Sequence, residues 1–421
     1  MRWSRLIVAI PILLAAGCSR GPGGRSGPRL VVAINAGVEG DALKAAARDY
    51  QQSAGVRMDV VELPYANLFE KVMLDLTSRT GAYDVIMMDD PWFPRLASGE
   101  KLAALDPLYR KAGMAGPDSD FVSSSLALGH EPYPNGPLYG LPYVGNCQLF
   151  FYRKDLFDRL GLTQPKTWGE VRSAAQKISA AEKGMYGYVM RAAPGNPAVA
   201  DFMPILWAFG GDVLSPEGEP RLNTQEAAAA LRFMVEMGKW APPGYVSFNA
   251  DEISAHLLQG TAAMSINWPA WVLAMDDPSK SRVVGKIAFA PIPGEREPGR
   301  SALGNWLLGI PAGSKNIDAA FGFLRWATDA PQMRQAAERG CPPTRRSVFQ
   351  DQELVRRFRA FPVQLQALET ARPRPRTPHW NEIENVFGIY ISKANAGSVS
   401  VTEALSRAQA EIAAIEQRGR Q

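Results

Sequence analysis

Acidic and amide side chains follow two short apolar runs near the start of the chain. The first run is β-branched and predicts a strand, and Asn35 and Glu39 come in the Gly-containing turn after it. Asp89 and Asp90 come directly after a later apolar run, and Trp92 follows them. Carboxylates form strong hydrogen bonds with polar groups, and an indole ring covers an apolar surface. These residues are therefore candidates for binding a small polar molecule.

The segments that carry these residues predict a parallel sheet. We expect strands at 30–34, 56–63 and 83–88, separated by helices. This alternation is typical of an α/β fold, and ligands of such folds bind beyond the carboxyl ends of the strands. Glu39 has a second interpretation, because acidic residues also favour the first turn of a helix.

Adjacent side chains of an extended segment point in opposite directions, so at most one of Asp89 and Asp90 should face a ligand well. We expect it to be Asp90, with Asp89 capping the turn or the helix at Pro91. The same opposition argues against the paired carboxylates of a glycosidase. The sequence has three scattered histidines and lacks HExxH, CxxC and GxSxG motifs. We therefore expect no metal, no cofactor and no enzymatic activity, with a secreted hydrolase as the weaker alternative.

The first residues have the pattern of an export signal. Two arginines precede the apolar stretch from Leu6 to Ala16, which is too short to span a bilayer and leads to Cys18. This resembles a bacterial lipoprotein signal over residues 1–18, after which Cys18 would carry lipid such as palmitate. An ordinary secretory leader is the alternative. Residues 19–29 are rich in Gly, Pro and Ser and suit a flexible tether, so we expect the protein on the membrane surface or in the periplasm.

Composition limits the remaining possibilities. The 421 residues are 46% apolar and 21% charged, with a formal net charge of +4. This length predicts two lobes or domains, and the thinly spread charge gives no support for nucleic-acid binding. No segment beyond the leader could span a membrane. Cys147 and Cys341 are expected to be separate buried thiols, although export would permit a disulfide.

A crossing between lobes is predicted at Tyr139–Phe157. Its first half contains the turn-forming residues Gly140, Pro142 and Gly145. An aromatic-rich run suited to a buried strand follows, and the segment ends in polar residues. Strand–helix alternation precedes this segment and a helix-rich stretch follows it. A segment that connects two lobes can bend, and a cleft should lie beside it.

Seven segments spread along the chain form a recognisable series. They are YDVIMMDDPWFPRLASGEKLAAL, LYGLPYVGNCQLFFYRKDLFDRLGL, KTWGEV, FGGDVL, GTAAMSINWPAW, NWLLGIPAGSKN and VTEALSRAQAEI. In this order they resemble the extracellular sugar-binding lipoproteins of ABC importers, the maltose-binding-protein-like group. The resemblance implies the type II periplasmic-binding-protein fold, with two hinge-linked α/β lobes and a ligand cleft between them. Lobe 1 would comprise 30–143 with 304–355, and lobe 2 would comprise 144–303 with 356–421.

The resemblance also suggests site residues in the second half of the chain. Trp268 and Trp306 match strand-end cleft positions, and Trp380 lies in a region that contributes a ligand-facing aromatic in relatives. Asn146 and Asp201 would lie at the rim of lobe 2. Trp271 is a further aromatic candidate, although large aromatic residues are more often core than ligand platform.

The resemblance implies a monomeric receptor that passes a sugar, as an oligosaccharide or glycoside, to the transmembrane subunits of an ABC permease. Arg374 and Arg376 lie in a basic, Pro-rich segment whose simplest interpretation is a solvated loop. If either arginine reaches the cleft, the solute could instead be anionic, since the guanidinium fork suits such groups. A glycerophosphodiester, a polyamine and a peptide remain the alternative solutes.

Overall fold

The computed structural model describes residues 27–419, so the expected signal, Cys18 and most of the tether lie outside the described residues. None of the helices within this range is both long and apolar enough to cross a membrane. The strands are β1 (Arg29–Asn35), β2 (Arg57–Leu63), β3 (Val85–Asp89), β4 (Gly140–Val144), β5 (Leu149–Arg153), β6 (Met264–Asn267), β7 (Ile287–Ala290) and β8 (Trp306–Gly309). The helices are α1 (Val38–Ala54), α2 (Tyr65–Ser78), α3 (Phe93–Ala97), α4 (Leu105–Lys111), α5 (Ser123–Ala127), α6 (Lys154–Arg159), α7 (Trp168–Ala181), α8 (Asn196–Ala208), α9 (Gln225–Met237), α10 (Ala250–Gln259), α11 (Val272–Asp276), α12 (Ile317–Ala327), α13 (Ala330–Glu338), α14 (Arg346–Phe349), α15 (Gln352–Arg357), α16 (Phe361–Thr370), α17 (Trp380–Asn395) and α18 (Val401–Gly419).

The strands form two separate sheets. The first sheet has the order β2-β1-β3-β8-β4, and the second has the order β6-β5-β7. Strand β1 pairs in parallel with β2 and β3, whereas β8 lies antiparallel between β3 and β4. The predicted alternation of strands and helices is therefore confirmed for the first three strands. Their carboxyl ends meet at one edge of the first sheet, which is where the strand-end residues were expected.

Three chain segments pass side by side between the parts of the chain built around the two sheets. The first joins β4 to β5, as predicted for Tyr139–Phe157, and the others lie at 301–305 and 371–374. The amide of Gly304 donates to the carbonyl of Asn146 at 2.9 Å, and the amide of Leu303 donates to that of Arg372 at 3.0 Å. These bonds satisfy backbone groups that belong to neither sheet and hold the connections together.

Glycine is required where the first connection passes the chain after α13. A Cβ atom on Gly145 would lie 1.9 Å from the carbonyl oxygen of Pro343, closer than any side chain permits. The glycine therefore allows two backbones to approach closely beside the connection. Such a close approach is a packing requirement that the turn-like sequence could not reveal.

Two hydrophobic cores accompany the two sheets. One surrounds the first sheet, and the other lies among α7, α8, α9, α17 and α18. Helix α16 packs against α5 and α14, which belong to the part of the chain built around the first sheet. This packing favours grouping 356–370 with the first lobe, although the predicted boundaries of both lobes remain predictions.

The two cysteines in the described range are free buried thiols, as predicted. Burial raises the pKa of both thiols, Cys147 and Cys341, because the thiolate form loses its hydration there. They therefore act as small apolar core residues.

Candidate functional site

One wall of the site is formed where β1 passes into α1. Asn35 ends the strand, and Gly37 follows with φ 110°, a conformation that favours glycine. A Cβ atom on Gly40 would lie 1.8 Å from the carbonyl oxygen of Asn35, so the helix begins against the strand end. This turn brings Glu39, in the first turn of α1, close to Asn35.

The end of β3 contributes a carboxylate to the same wall. Asp89 accepts a hydrogen bond from the Tyr65 hydroxyl at 2.8 Å and another from the amide of Asp90 at 3.0 Å. Asp89 is paired in register with Trp306, the first residue of β8. The Trp306 ring packs edge-on against Trp92, with the ring centroids 5.6 Å apart. Antiparallel insertion of β8 thus places an indole beside the carboxylate.

The facing wall comes from the loops beside the second sheet. Trp268 follows the end of β6, and Trp271 lies in the short turn after it. The Arg191 guanidinium lies 5.3 Å from the centre of the Trp268 ring. Asp201 fixes that guanidinium, accepting from its Nε at 2.6 Å and from the Arg191 amide at 2.8 Å. A buried ion pair thus orients the arginine against the indole.

The third connection brings a buried arginine to the cleft. The Arg374 Nη2 atom lies 2.6 Å from Asp90 Oδ1 and 3.8 Å from Asp89 Oδ1. Its Nη1 atom lies 3.5 Å from Glu384 Oε1, on α17. Three carboxylates surround this guanidinium, so its charge is fully compensated within the protein.

A cavity of about 540 Å³ lies between these walls. This volume is within the range of small-molecule binding sites. The first sheet contributes strand-end residues to its lining, and the loop after β6 contributes Trp268 and Trp271. The polar and aromatic side chains that line it are Asn35, Glu39, Tyr65, Asp89, Asn146, Arg191, Asn196, Asn249, Asp251, Trp268, Trp271, Trp306 and Arg374.

Burial makes the carboxyl groups of this region weaker acids. It raises the pKa of Glu39, and the hydrogen bond from Asn146 only partly opposes this effect. Burial also raises the pKa of Asp89 to about 7, although Arg374 acts in the opposite direction. The pKa of Glu384 is raised for the same reason. The carboxyl groups therefore retain protons more strongly than they would in water.

Several buried polar atoms of the lining have no hydrogen-bond partner within residues 27–419. They include Asn35 Oδ1, Asn146 Oδ1 and Arg374 Nε. The three side chains are at most 7% exposed. Because buried polar groups normally have partners, these atoms identify places where a bound molecule can form hydrogen bonds.

The sequence model of the family described as "Bacterial extracellular solute-binding protein" matches residues 36–334. The chain belongs to this family. Among its relatives, a "probable amino-acid ABC transporter periplasmic-binding protein" of Sinorhizobium fredii is 27% identical, covering 82% of this chain and 79% of the relative. A mannitol-binding protein of Pseudomonas aeruginosa is 30% identical, covering 66% of this chain and 69% of the relative. The crystal structure of an ABC transporter solute-binding protein from Agrobacterium radiobacter K84, in complex with ribitol, matches with a TM-score of 0.85 and 27% identity, covering 93% of this chain and 99% of that one.

This relationship confirms the two-lobe periplasmic-binding-protein fold that the resemblance implied. The cavity between the two sheets is accordingly the candidate solute cleft of this solute-binding protein. Eight of the residues singled out in the sequence line it, namely Asn35, Glu39, Asp89, Asn146, Trp268, Trp271, Trp306 and Arg374.

Two predicted acidic residues lie behind the cleft walls of the solute-binding protein. Asp90 is 1% exposed and ion-paired with Arg374, so Asp89 lines the cleft and the preference for Asp90 was wrong. Asp201 is also 1% exposed and holds Arg191, which lines the cleft in its place. Both carboxylates therefore orient an arginine and lie outside the lining.

Two predicted tryptophans are likewise outside the lining. Trp92 is 1% exposed and packs between the rings of Tyr65, Phe69 and Trp306. Trp380 begins α17 and is fully buried in the second core. Packing against other apolar groups encloses both rings, and no local sequence pattern distinguishes them from the aromatic residues that line the cleft.

Five lining residues of the solute-binding protein were missed from the sequence. Tyr65 follows the end of β2, so the strand-end rule that selected Glu39 could also have selected it. Asn249 opens a capping box with Glu252, which marks the start of a helix rather than a binding site. Arg191, Asn196 and Asp251 have no distinctive local pattern, because tertiary packing brings them to the cleft.

A second cavity lies outside the cleft. This outer groove has a volume of about 590 Å³ and is lined by Trp207, Asp212, Arg221 and Arg372, among others. None of the residues singled out as site candidates lines it. Within residues 27–419, no group of three or more His, Cys, Asp or Glu side chains could hold a metal ion.

Proposed function

We propose that the protein captures a sugar or sugar alcohol in the cleft and delivers it to an ABC permease. The observation that carries this proposal is the combination of indole rings with buried, unpartnered polar atoms in one cavity. Sugars and polyols present hydroxyl groups and apolar C–H surfaces, and this lining complements both. The ribitol and mannitol named for the relatives belong to this chemical class.

Each wall has a distinct part in the proposed binding mode. The Asp89 carboxylate accepts hydrogen bonds from solute hydroxyls, while Arg191 donates to hydroxyl oxygens. The Trp268 ring covers the C–H surface of the solute. Because Arg191 is held by Asp201, the donor and the ring beneath it stay oriented before the solute arrives.

We further propose that the solute closes the cleft by bending the three connections. The two walls belong to different sheets, so a solute that contacts both binds the closed form better than the open one. Small-angle X-ray scattering should show a smaller radius of gyration with saturating solute. An unchanged radius with a confirmed ligand would indicate a rigid, preformed site and would contradict this mechanism.

We propose that Cys18 is lipidated and tethers a monomeric receptor to the outer surface of the membrane. The motivation is the leader ending in LLAAGC and the Gly/Pro-rich segment after it. Replacing Cys18 with Ser should release the protein from the membrane fraction or stall its processing. Retention of Cys18→Ser on the membrane with unchanged processing would exclude the lipoprotein interpretation.

Capture without chemical conversion is the expected activity. The neighbouring acids Asp89 and Asp90 share Arg374, and this arrangement suits structural support better than acid–base catalysis. Incubation with candidate oligosaccharides should therefore leave them intact. Release of shortened products would favour a hydrolase instead.

A thermal-shift screen with ribitol, mannitol, maltose and related sugars tests the proposed solute class. A ligand present at about 100 times its Kd should stabilise the folded state by about 2.7 kcal/mol and raise the melting temperature. At least one sugar or polyol should produce this shift. No shift across the whole class, with a shift from an amino acid or peptide, would overturn the proposal.

A further inference from the structure

The charge of the cleft places a limit on the solute. The cationic side chains of the described lining are Arg191 and Arg374, and both are compensated by the protein itself. Arg191 is paired with Asp201 at 2.6 Å. Arg374 is surrounded by Asp90, Asp89 and Glu384. The site therefore offers no surplus positive charge to an anionic solute.

Negative charge, by contrast, is uncompensated. Glu39 and Asp251 line the cavity, and neither has an ion-pair partner within residues 27–419. Glu39 is half-buried, and its carboxylate accepts a 3.4 Å hydrogen bond from Asn146 Nδ2. Asp251 lies exposed at the start of α10, on the opposite side of the cleft. Electrostatic complementarity to this lining therefore favours a cation over an anion.

The unpartnered atoms near Glu39 also select for hydrogen-bond donors. Asn146 gives its amide hydrogen to Glu39, which leaves its Oδ1 as an acceptor with no donor among the described residues. Asn35 Oδ1, at the end of β1, is in the same state. Both side chains are more than nine-tenths buried. A hydroxyl supplies one donor, whereas an ammonium group supplies three donors and no acceptor.

We infer that the preferred solute is an amine-bearing sugar or polyol, with its ammonium group bound by Glu39, Asn35 and Asn146. The remaining hydroxyl groups lie along Asp89 and Arg191, and the carbon skeleton lies against Trp268. The indole rings of the cleft add to this preference, because cations are attracted to aromatic faces. This inference rests on the proposed function, since it names the solute class for the same cleft.

Isothermal titration with three compounds that differ at one carbon tests the inference. Glucamine, glucitol and gluconate carry an ammonium, a hydroxyl and a carboxylate group at that position, and glucosamine with glucose forms a second matched pair. We expect the amine to bind at least about tenfold more tightly than the hydroxyl compound. Gluconate should bind most weakly.

The results separate this inference from the function on which it rests. Equal or tighter binding of the neutral compounds, here or in the polyol screen, would overturn the amine preference and leave sugar capture intact. Failure of every neutral and amine-bearing sugar or polyol would overturn both. Tight gluconate binding would show that the compensated arginines still select an anion.

Glu39→Gln locates the ammonium group. This variant keeps the size of the side chain and removes its charge, so the affinities for glucamine and glucitol should become equal within about threefold. Asp41→Asn is the matched control, because Asp41 lies in the same helical turn, is exposed and does not line the cavity. The ligand-free melting temperature checks that both variants fold. Retention of the full amine preference by a folded Glu39→Gln would contradict the assignment.

Discussion

The cleft and the outer groove have similar volumes, about 540 and 590 Å³, but their polar groups are in different states. In the groove, Arg372 is paired with Asp212 near the solvent. In the cleft, Asn35 and Asn146 have buried atoms without partners. Volume alone therefore does not identify a binding site. Among the described residues, unpaired buried side-chain oxygen atoms distinguish the cleft, because the unpaired buried polar atom found in the groove lining is the Nε1 donor of Trp207.

Two arginines of one segment show the same contrast. Arg372 is 46% exposed and lies over the Trp207 ring at 5.1 Å, in the outer groove. Arg374, two residues later, is 4% exposed and surrounded by carboxylates beside the cleft. In an extended chain, residues two positions apart point to the same side, so alternation alone does not explain why Arg372 and Arg374 lie in different surroundings. Because Arg374 is buried and Arg372 is partly exposed, we expect the loss of each arginine to change the free energy of unfolding by a different amount.

The largest expected effect is on stability, at Arg374. Arg374→Met leaves Asp90 and Glu384 buried without their counter-ion, so the free energy of unfolding should fall by about 3–5 kcal/mol. Urea unfolding of the ligand-free protein measures this loss.

Arg372→Met is the matched control for that experiment. Its ion pair with Asp212 is partly exposed, so the expected loss is below about 1 kcal/mol. Equal losses for the two variants would remove the energetic distinction between cleft and groove.

The next effect in size is on binding, at Trp268. Trp268→Ala removes the ring that covers the solute and should weaken binding by about 1–3 kcal/mol in a calorimetric titration. Trp207→Phe, in the outer groove, should leave the Kd unchanged within about twofold. If the groove variant weakens binding and Trp268→Ala does not, the two cavities have been assigned the wrong way round.

The smallest effect is on the pH dependence of stability. Because burial raises the pKa of Asp89 to about 7, the folded protein holds more protons than the unfolded chain between about pH 4 and pH 7. The contribution of the Asp89 carboxyl group to the free energy of unfolding should therefore decrease as the pH rises through that interval.

Asp89→Asn removes that contribution. Between about pH 5 and pH 7 the variant should lose less stability than the wild type, as measured by urea midpoints. Asp212→Asn, from the outer groove, serves as the control and should keep the wild-type profile. A wild-type slope retained by Asp89→Asn would show that another group causes it.

Local patterns predicted the features that depend on neighbouring residues in the chain. The first three strands and the crossing at Tyr139–Phe157 both appear in the structure. The expectation that ligands bind beyond the carboxyl ends of the strands also selected Asn35 and Glu39, which line the cleft. Periodicity and turn chemistry are sufficient for such features because the responsible residues lie close in sequence.

Features set by tertiary packing were not predictable in this way. Whether Asp89 or Asp90 lines the cleft depends on the register with β8, which comes from more than 200 residues later in the chain. Trp268 and Trp380 both lie near a proline, yet one lines the cleft and the other is enclosed by helices. Arg191 had no pattern at all. Which side chains are buried and which line the cleft depends on contacts between segments that are distant in the sequence.

A crystal structure of the protein grown with a solute that gives a confirmed thermal shift tests the central claim most directly. We predict the solute in the cleft, against the Trp268 ring, with hydrogen bonds to Asp89, Asn35 and Asn146. Its presence in the outer groove beside Trp207 and Arg372, with the cleft free of it, would contradict the account.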